Sequence, residues 1–277
     1  MRLVLPLMLT ACGAVVDPGG PFALGFDLTA NGAAVRCGEP MEGVGLSAAS
    51  VRPKDARFFL HGLTFLDPEG VAIPTTIDDD GTWQDGDVAL IDGANTDGAC
   101  DGSEAMRDVV TGSRDPGEVA AVRFTIGVPP ERNHLDAATA PAPLNTPGMF
   151  WSWAGGFKYV RVEGSTADKP DITVHLGASA CVGGVVEGYA CENDHLATIT
   201  VEGMTDPNLD RVRFDVAALL AGLDLSAPRA DGDTVDGCMS FTGDPECPPI
   251  YGALGIGFLD EPRVDLPSAF SLVPATL

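Results

Sequence analysis

Lysine is nearly missing from this 277-residue chain: only Lys54, Lys158 and Lys169 occur, and 16 basic against 40 acidic side chains leave a formal net charge of −24. With no positive stripe to neutralise phosphates, nucleic acid is excluded as a partner. The acidity itself reads first as solubility and solvated surface, and only then as attraction for cations or a basic partner. Past the N-terminus no apolar run approaches the roughly 20 residues of a membrane-spanning helix. C-x-x-C spacing is absent, which argues against a thiolate metal site. Neither H-E-x-x-H nor Gly-x-Ser-x-Gly occurs, which removes two common hydrolase signatures.

What is present begins with Met1-Arg2-Leu3-Val4-Leu5-Pro6-Leu7-Met8-Leu9-Thr10-Ala11-Cys12. One positive charge, a short apolar core and a small residue before cysteine form an export signal. Leu9-Thr10-Ala11-Cys12 fits a lipobox, so residues 1–11 are expected to be a signal peptide and Cys12 the lipid-carrying mature N-terminus. Losing Arg2 makes the mature chain about one unit more negative. Residues 12–21 read as a Gly-, Pro- and Ala-rich tether. Expected localisation is the periplasm or cell surface, as an outer-membrane lipoprotein. Cys12 aside, Cys37, Cys100, Cys181, Cys191, Cys238 and Cys247 remain, an even number in an exported chain and hence three disulfides. About 15 connectivities are open to six cysteines. Pairing neighbours gives Cys37 with Cys100, Cys181 with Cys191 and Cys238 with Cys247.

Residues 22–277 are expected to form one all-β domain, an antiparallel sandwich or Greek key with at most one or two short helices. Strand-like runs at Phe22–Ala30, Arg57–Leu66, Asp87–Ile91, Ala120–Val128, Phe157–Glu163, Asp171–Leu176, Ala197–Val201 and Arg211–Val216 are separated by Gly, Pro, Asp and Asn. A short helix is expected at Val216–Leu223, with Asp215 as its cap. Strand alternation puts His61 on the face of Phe59, Leu63 and Phe65, aimed into an apolar layer. It puts His175 opposite Ile172, Val174 and Leu176, toward solvent or a cleft wall. His134 follows Gly127-Val128-Pro129-Pro130, on a loop.

Scarce residue types gather between Asn133 and Cys181. Asn133-His134-Leu135-Asp136, Met149-Phe150-Trp151-Ser152-Trp153 and His175-Leu176-Gly177 bring together two of the four histidines and two of the three tryptophans. Such side chains ligate soft or borderline metals and carry electron chemistry.

Taken with Arg57-Phe58-Phe59-Leu60-His61, Trp83-Gln84, Val88-Ala89-Leu90-Ile91-Asp92, Gly127-Val128-Pro129, Ala178-Ser179-Ala180-Cys181 and Gly237-Cys238-Met239-Ser240, these segments resemble, in order over roughly residues 22–258, the MbnP (methanobactin-associated periplasmic protein) family. This is the four-Cys protein of the "metallo-mystery pair". The resemblance implies a copper-binding β protein that works with a di-haem cytochrome c peroxidase-like partner of the MbnH type. In relatives that partner oxidises a tryptophan to kynurenine, which helps build the copper site. An indole N–H only donates a hydrogen bond, whereas ring opening exposes an aryl amine and a carbonyl, and two imidazoles with that amine suit copper better than a hard cation. Carried over residue by residue, His61 and His134 are the expected ligands, with His175 third. Trp83 is the expected oxidation site, with Trp151 and Trp153 in reserve. Met149 and Met239 are soft enough for Cu(I) but read as gap-fillers. The chain is expected to be the partner's substrate and no enzyme itself.

Two rival readings come from the residues. A three-histidine Zn²⁺ site with Glu131 or Asp136 as base would make a hydrolase. The runs Asp78-Asp79-Asp80-Gly81, Asp92 to Asp101 and Asp231-Gly232-Asp233 would make a Ca²⁺-stabilised surface module, although none fits an EF-hand loop and solvated turns explain them.

Overall fold

The computed structural model describes residues 17–275, apart from 101, 103, 153 and 227–235. Two sheets stack face to face. The smaller runs, edge to edge, Phe270–Val273, Arg211–Asp215, Gly20–Ala30, Val109–Arg114 and Thr75–Ile77, with Ala33–Ala34 added to Gly20–Ala30. The larger runs Ala197–Glu202, Ala121–Ile126, Ala49–Leu66, Val160–Ser165, Ile172–Leu176 and Asp236–Cys238. The long strand Ala49–Leu66 also pairs with Met41–Val44, Ala72–Ile73 and Val88–Asp92. The sandwich is antiparallel except where Gly20–Ala30 meets Arg211–Asp215 and Ile172–Leu176 meets Asp236–Cys238. The first strand takes in Gly20 and Pro21 of the expected tether.

Alternation explains the core. Phe58 and Phe124 of the large sheet meet Phe26, Phe214 and Phe270 of the small one at ring distances of 5.0 to 5.9 Å, a layer of edge-on aromatic contacts. Asp215 caps the short helix Val216–Leu219, accepting from the N–H groups of Ala217 and Ala218, which is the expected cap on a shorter helix. A second helix, Cys247–Ala253, starts on Pro248 and Pro249, residues that pre-set the first turn. All three expected disulfides are present: Cys37–Cys100, Cys181–Cys191 and Cys238–Cys247. Cys181–Cys191 cross-links a small two-stranded hairpin, Ser179–Gly184 with Gly188–Asn193, that belongs to neither large sheet. Among the described residues no helix is long and apolar enough to cross a membrane. Cys12 and its lipobox lie outside the described residues.

One feature of the long strand corrects the parity argument for His61. Between His61 and Thr64 the register against Ala121–Ile126 slips, and Gly62 takes a positive φ of 61°. Such a bulge reverses the faces of the residues beyond it. Phe65 therefore points into the sandwich, 5.0 Å from Phe22, while Phe59 points the other way, toward Phe157 at 6.1 Å. His61 shares the Phe59 face but not that of Phe65.

Candidate metal centre and its surroundings

The outer face of the large sheet is roofed by the segment from Gly127 to Phe157, and the predicted residues lie along it at different depths. His61 is half-buried rather than sunk in an apolar layer, because the bulge at Gly62 ends the regular pleat beside it. Its Nδ1 lies 3.0 Å from the Gly127 carbonyl. A carbonyl only accepts, so Nδ1 carries the proton, and Nε2 keeps its lone pair for another partner.

His134 sits on the roof. Its Nε2 is 3.2 Å from Cys191 Sγ and 3.4 Å from Asn133 Nδ2, and its ring stacks on Tyr189 at 4.9 Å. Asn133 explains why Asn precedes His: it is buried, and its Oδ1 accepts the Phe157 N–H at 3.0 Å. Gly156 must be glycine there, since its φ is 71° and a Cβ would lie 2.4 Å from Asn133.

Trp83 is half-buried at the wall of a cavity of about 610 Å³ shared with Arg57, Asp92, Arg161 and Gly148. Its loop is built by the acidic run before it. Asp80 Oδ1 accepts from the N–H groups of Thr82, Trp83 and Gln84, and Asp79 Oδ1 from that of Gly81. These carboxylates therefore serve as turn acceptors. Burial works against ionising Asp80, but the backbone donors and Arg107 hold its carboxyl below the usual range. Buried Gln84 fastens the loop to the carbonyls of Asp78 and Thr111. Two further links tie this loop to both histidine segments: Arg132 pairs with Asp85, two residues before His134, and Val88 is the ladder partner of His61.

His175 is elsewhere, and it is buried rather than facing solvent. Its Nε2 is 2.5 Å from Glu163 Oε1. Burial, the largest influence, pulls its pKa down despite Glu163, so the neutral ring donates from Nε2. Its Nδ1 is buried without a hydrogen-bond partner, and Trp151 stands edge-on at 6.0 Å. Trp151, half-buried, also stacks on the exposed ring of Phe241. Trp153 lies outside the described residues. Met149 is fully buried in the core cluster, as expected of a gap-filler.

A row of buried charge joins these places. Along the outer face, Arg57 forms a fork on Asp55, Arg161 reaches Asp55 at 3.1 Å and Glu163 at 2.8 Å, and Glu163 holds His175. Lys158 and Arg57 donate to the Gly148 and Pro147 carbonyls of the roof. Gly148, with φ 81°, leaves no room for a Cβ, which would lie 2.3 Å from Arg161 Nη1. Burial would raise Glu163, but His175 and Arg161 outweigh it and hold the carboxyl down at about 2. Burial wins at Asp92, which is pushed up to about 6. These residues went unread in the sequence. Their signal was the alternation Asp55-Ala56-Arg57 and Arg161-Val162-Glu163, charge on one strand face and small or apolar residues on the other.

Among the described residues, two groups of three His, Cys or carboxylate donors converge, His134 with Cys181 and Cys191, and Asp244 with Cys238 and Cys247. In both the sulfurs are spent in disulfides. His61, His134 and His175 form no such cluster. Trp83 stands on the loop that the Asp85–Arg132 pair and the Val88–His61 ladder tie to both histidine segments.

A family model described as MbnP matches residues 19–240. Among solved structures, MbnP from Methylosinus trichosporium superposes with a TM-score of 0.80 and 27% identity, over 93% of this chain and 99% of that one. Comparison with the curated proteins finds no match.

Proposed function

The chain belongs to the MbnP family, and from that premise we propose that it is an exported copper-binding protein, held by His61, His134 and an oxidised Trp83 rather than by histidines alone. The observation that carries the reading is the His61 ring. Its Nδ1 is engaged by the Gly127 carbonyl at 3.0 Å and its Nε2 makes no hydrogen bond among the described residues, the arrangement that prepares an imidazole to ligate a metal. The donors fit copper: neutral imidazole and aryl nitrogen suit a borderline or soft ion better than a hard one. Copper would supply the capacity to be stored, passed on or sensed. The chain's own residues supply positioning: Asp80 shapes the Trp83 loop, the Asp85–Arg132 pair fastens it to the His134 segment, and Asn133 fixes that segment on Phe157.

In this reading His175 stands third: Glu163 holds its Nε2, and its partnerless Nδ1 is buried beside Trp151 on the charge row. Trp83 is oxidised on a di-haem cytochrome c peroxidase-like partner of the MbnH type with hydrogen peroxide as the consumed oxidant: two peroxides open the indole C2–C3 bond to N-formylkynurenine and leave as water, hydrolysis releases C2 as formate, and this chain is the substrate, with no catalysis of its own. A lipid on Cys12 would hold it at the outer membrane, in the periplasm or on the cell surface.

The test is peptide mass spectrometry with metal analysis on protein purified from its native host with its genomic neighbours expressed. A kynurenine mass gain on Trp83, and near-stoichiometric copper lost in His61→Ala and His134→Ala but kept in His175→Ala, is the expected result. Unmodified Trp83 and no copper in the wild type would overturn the reading.

A further inference from the structure

Exposed apolar side chains are concentrated at one place on this acidic molecule. Of the ten large hydrophobic residues exposed among the described residues, Val182, Val185 and Val186 lie on the disulfide hairpin, Leu135 faces its tip across the His134 recess, and Phe241 lines the recess on the other side of Cys181. Val186 is 92% exposed and Val182 72%, so neither is placed for folding. Stray single hydrophobics on a surface need no explanation, but a group of them does. The hairpin is also stiff where it would need to be, stapled by Cys181–Cys191 and stacked through Tyr189 on His134.

The charge around this group has one sign. Glu131, Glu187, Glu192 and Asp194 are all exposed there. No lysine or arginine occurs between residues 170 and 210. The nearby cations are committed elsewhere, Arg132 to Asp85 and Lys158 to the Gly148 carbonyl. An apolar centre inside a polar rim is the layout of a protein interface, and the rim selects what can sit on it. A second copy would bring the same carboxylates against these, and an anionic lipid surface would be repelled in the same way.

We infer that the Cys181–Cys191 hairpin, with Leu135 and Phe241 beside it, is the docking surface for the haem partner, which meets it with an apolar patch ringed by lysine and arginine. The inference rests on the partner named under the proposed function and adds the face it uses. That face is the one over His134, so docking brings the oxidant to the roof of the metal centre while leaving the aromatic core untouched.

The test measures binding of the purified di-haem partner to the full mature chain by calorimetry, and kynurenine formation on Trp83 when peroxide is added. Val185→Asp/Val186→Asp is expected to weaken binding about tenfold or more and to slow kynurenine formation in parallel, while Leu46→Asp, equally exposed but remote from the hairpin, changes neither. Glu187→Gln/Glu192→Gln is expected to slow association at low salt, with the difference fading as salt is raised. Unchanged binding in Val185→Asp/Val186→Asp, with oxidation intact, overturns the docking surface and leaves the proposed function standing. Self-association through the hairpin in place of partner binding overturns the docking surface alone, whereas a wild-type chain that neither binds the partner nor is oxidised overturns both.

Discussion

The two faces of the large sheet are made by the same strands and solve burial in opposite ways. On the inner face Phe58 and Phe124 meet the other sheet's phenylalanines with no polar atom between them. On the outer face, one residue along, Arg57 and Arg161 are nearly as well buried, Asp55 shows none of its side chain to solvent, and Glu163 lies at the margin. Hydrophobic burial is non-directional and tolerates a sheet as its only partner. Buried charge survives only where each group meets its counterpart. A face built by pairing can therefore hold polar side chains in fixed orientation beneath a roof of loops, as a ligand site needs, whereas the inner face supplies stability alone.

The largest effect that breaks this comparison is expected from Asp55→Ala, which leaves buried Arg57 without its carboxylate while Arg161 keeps Glu163, and should cost about 3–5 kcal/mol. Phe58→Ala on the opposite face should cost a similar amount, about 3–5 kcal/mol, through the cavity it leaves. Urea denaturation measures both, and copper content of the folded fraction separates them: the core variant should retain its metal.

A smaller and more selective effect is expected from pH, because two carboxylates of the outer face are shifted in opposite directions. Glu163 is held at about 2, below its ordinary 4.5, so its contribution is complete above 4.5 and lost as pH falls through 2. Asp92 is raised from 3.8 to about 6; its ionisation opposes folding, so its cost is absent below 3.8 and complete above 6. Glu163→Gln should therefore be less stable than wild type at pH 7 and converge with it near pH 2. Asp92→Asn should gain on wild type as pH rises from 4 to 6. Urea midpoints from about pH 2 to pH 7 check both signs, and curves parallel to wild type would refute the buried charge row.

The smallest effect comes from the residue next to Asp55. Lys54 pairs with Asp171 at 2.6 Å, but Asp171 shows 73% of its side chain to solvent. Lys54→Ala should cost no more than about 1 kcal/mol, and urea midpoints should show that cost shrinking as salt is raised, unlike that of Asp55→Ala.

Much of this was legible in the chain. Alternating apolar residues located most of the sandwich, and the cysteines adjacent in sequence paired as expected. The strand Val109–Arg114 was not legible, because its inward residues are few and Gly112 interrupts them. Nor was the helix Cys247–Ala253, whose two prolines look like loop until they are seen at its first turn. Asn133-His134 marked itself by the scarcity of its residue types and Trp83-Gln84 only through the family resemblance, while the depth of each histidine was not legible.

By itself the sequence determined the β period, the export signal pattern, the sulfur count and the family, since these are local or additive properties of the chain. The tertiary structure alone decided that Phe65 turns inward past Gly62, that His175 is buried with its Nε2 on Glu163, and that Asp85 joins the Trp83 loop to Arg132. Each of those depends on pairing between residues far apart along the chain, where a slip of one residue reverses a face and a buried charge is stable only if its partner arrives.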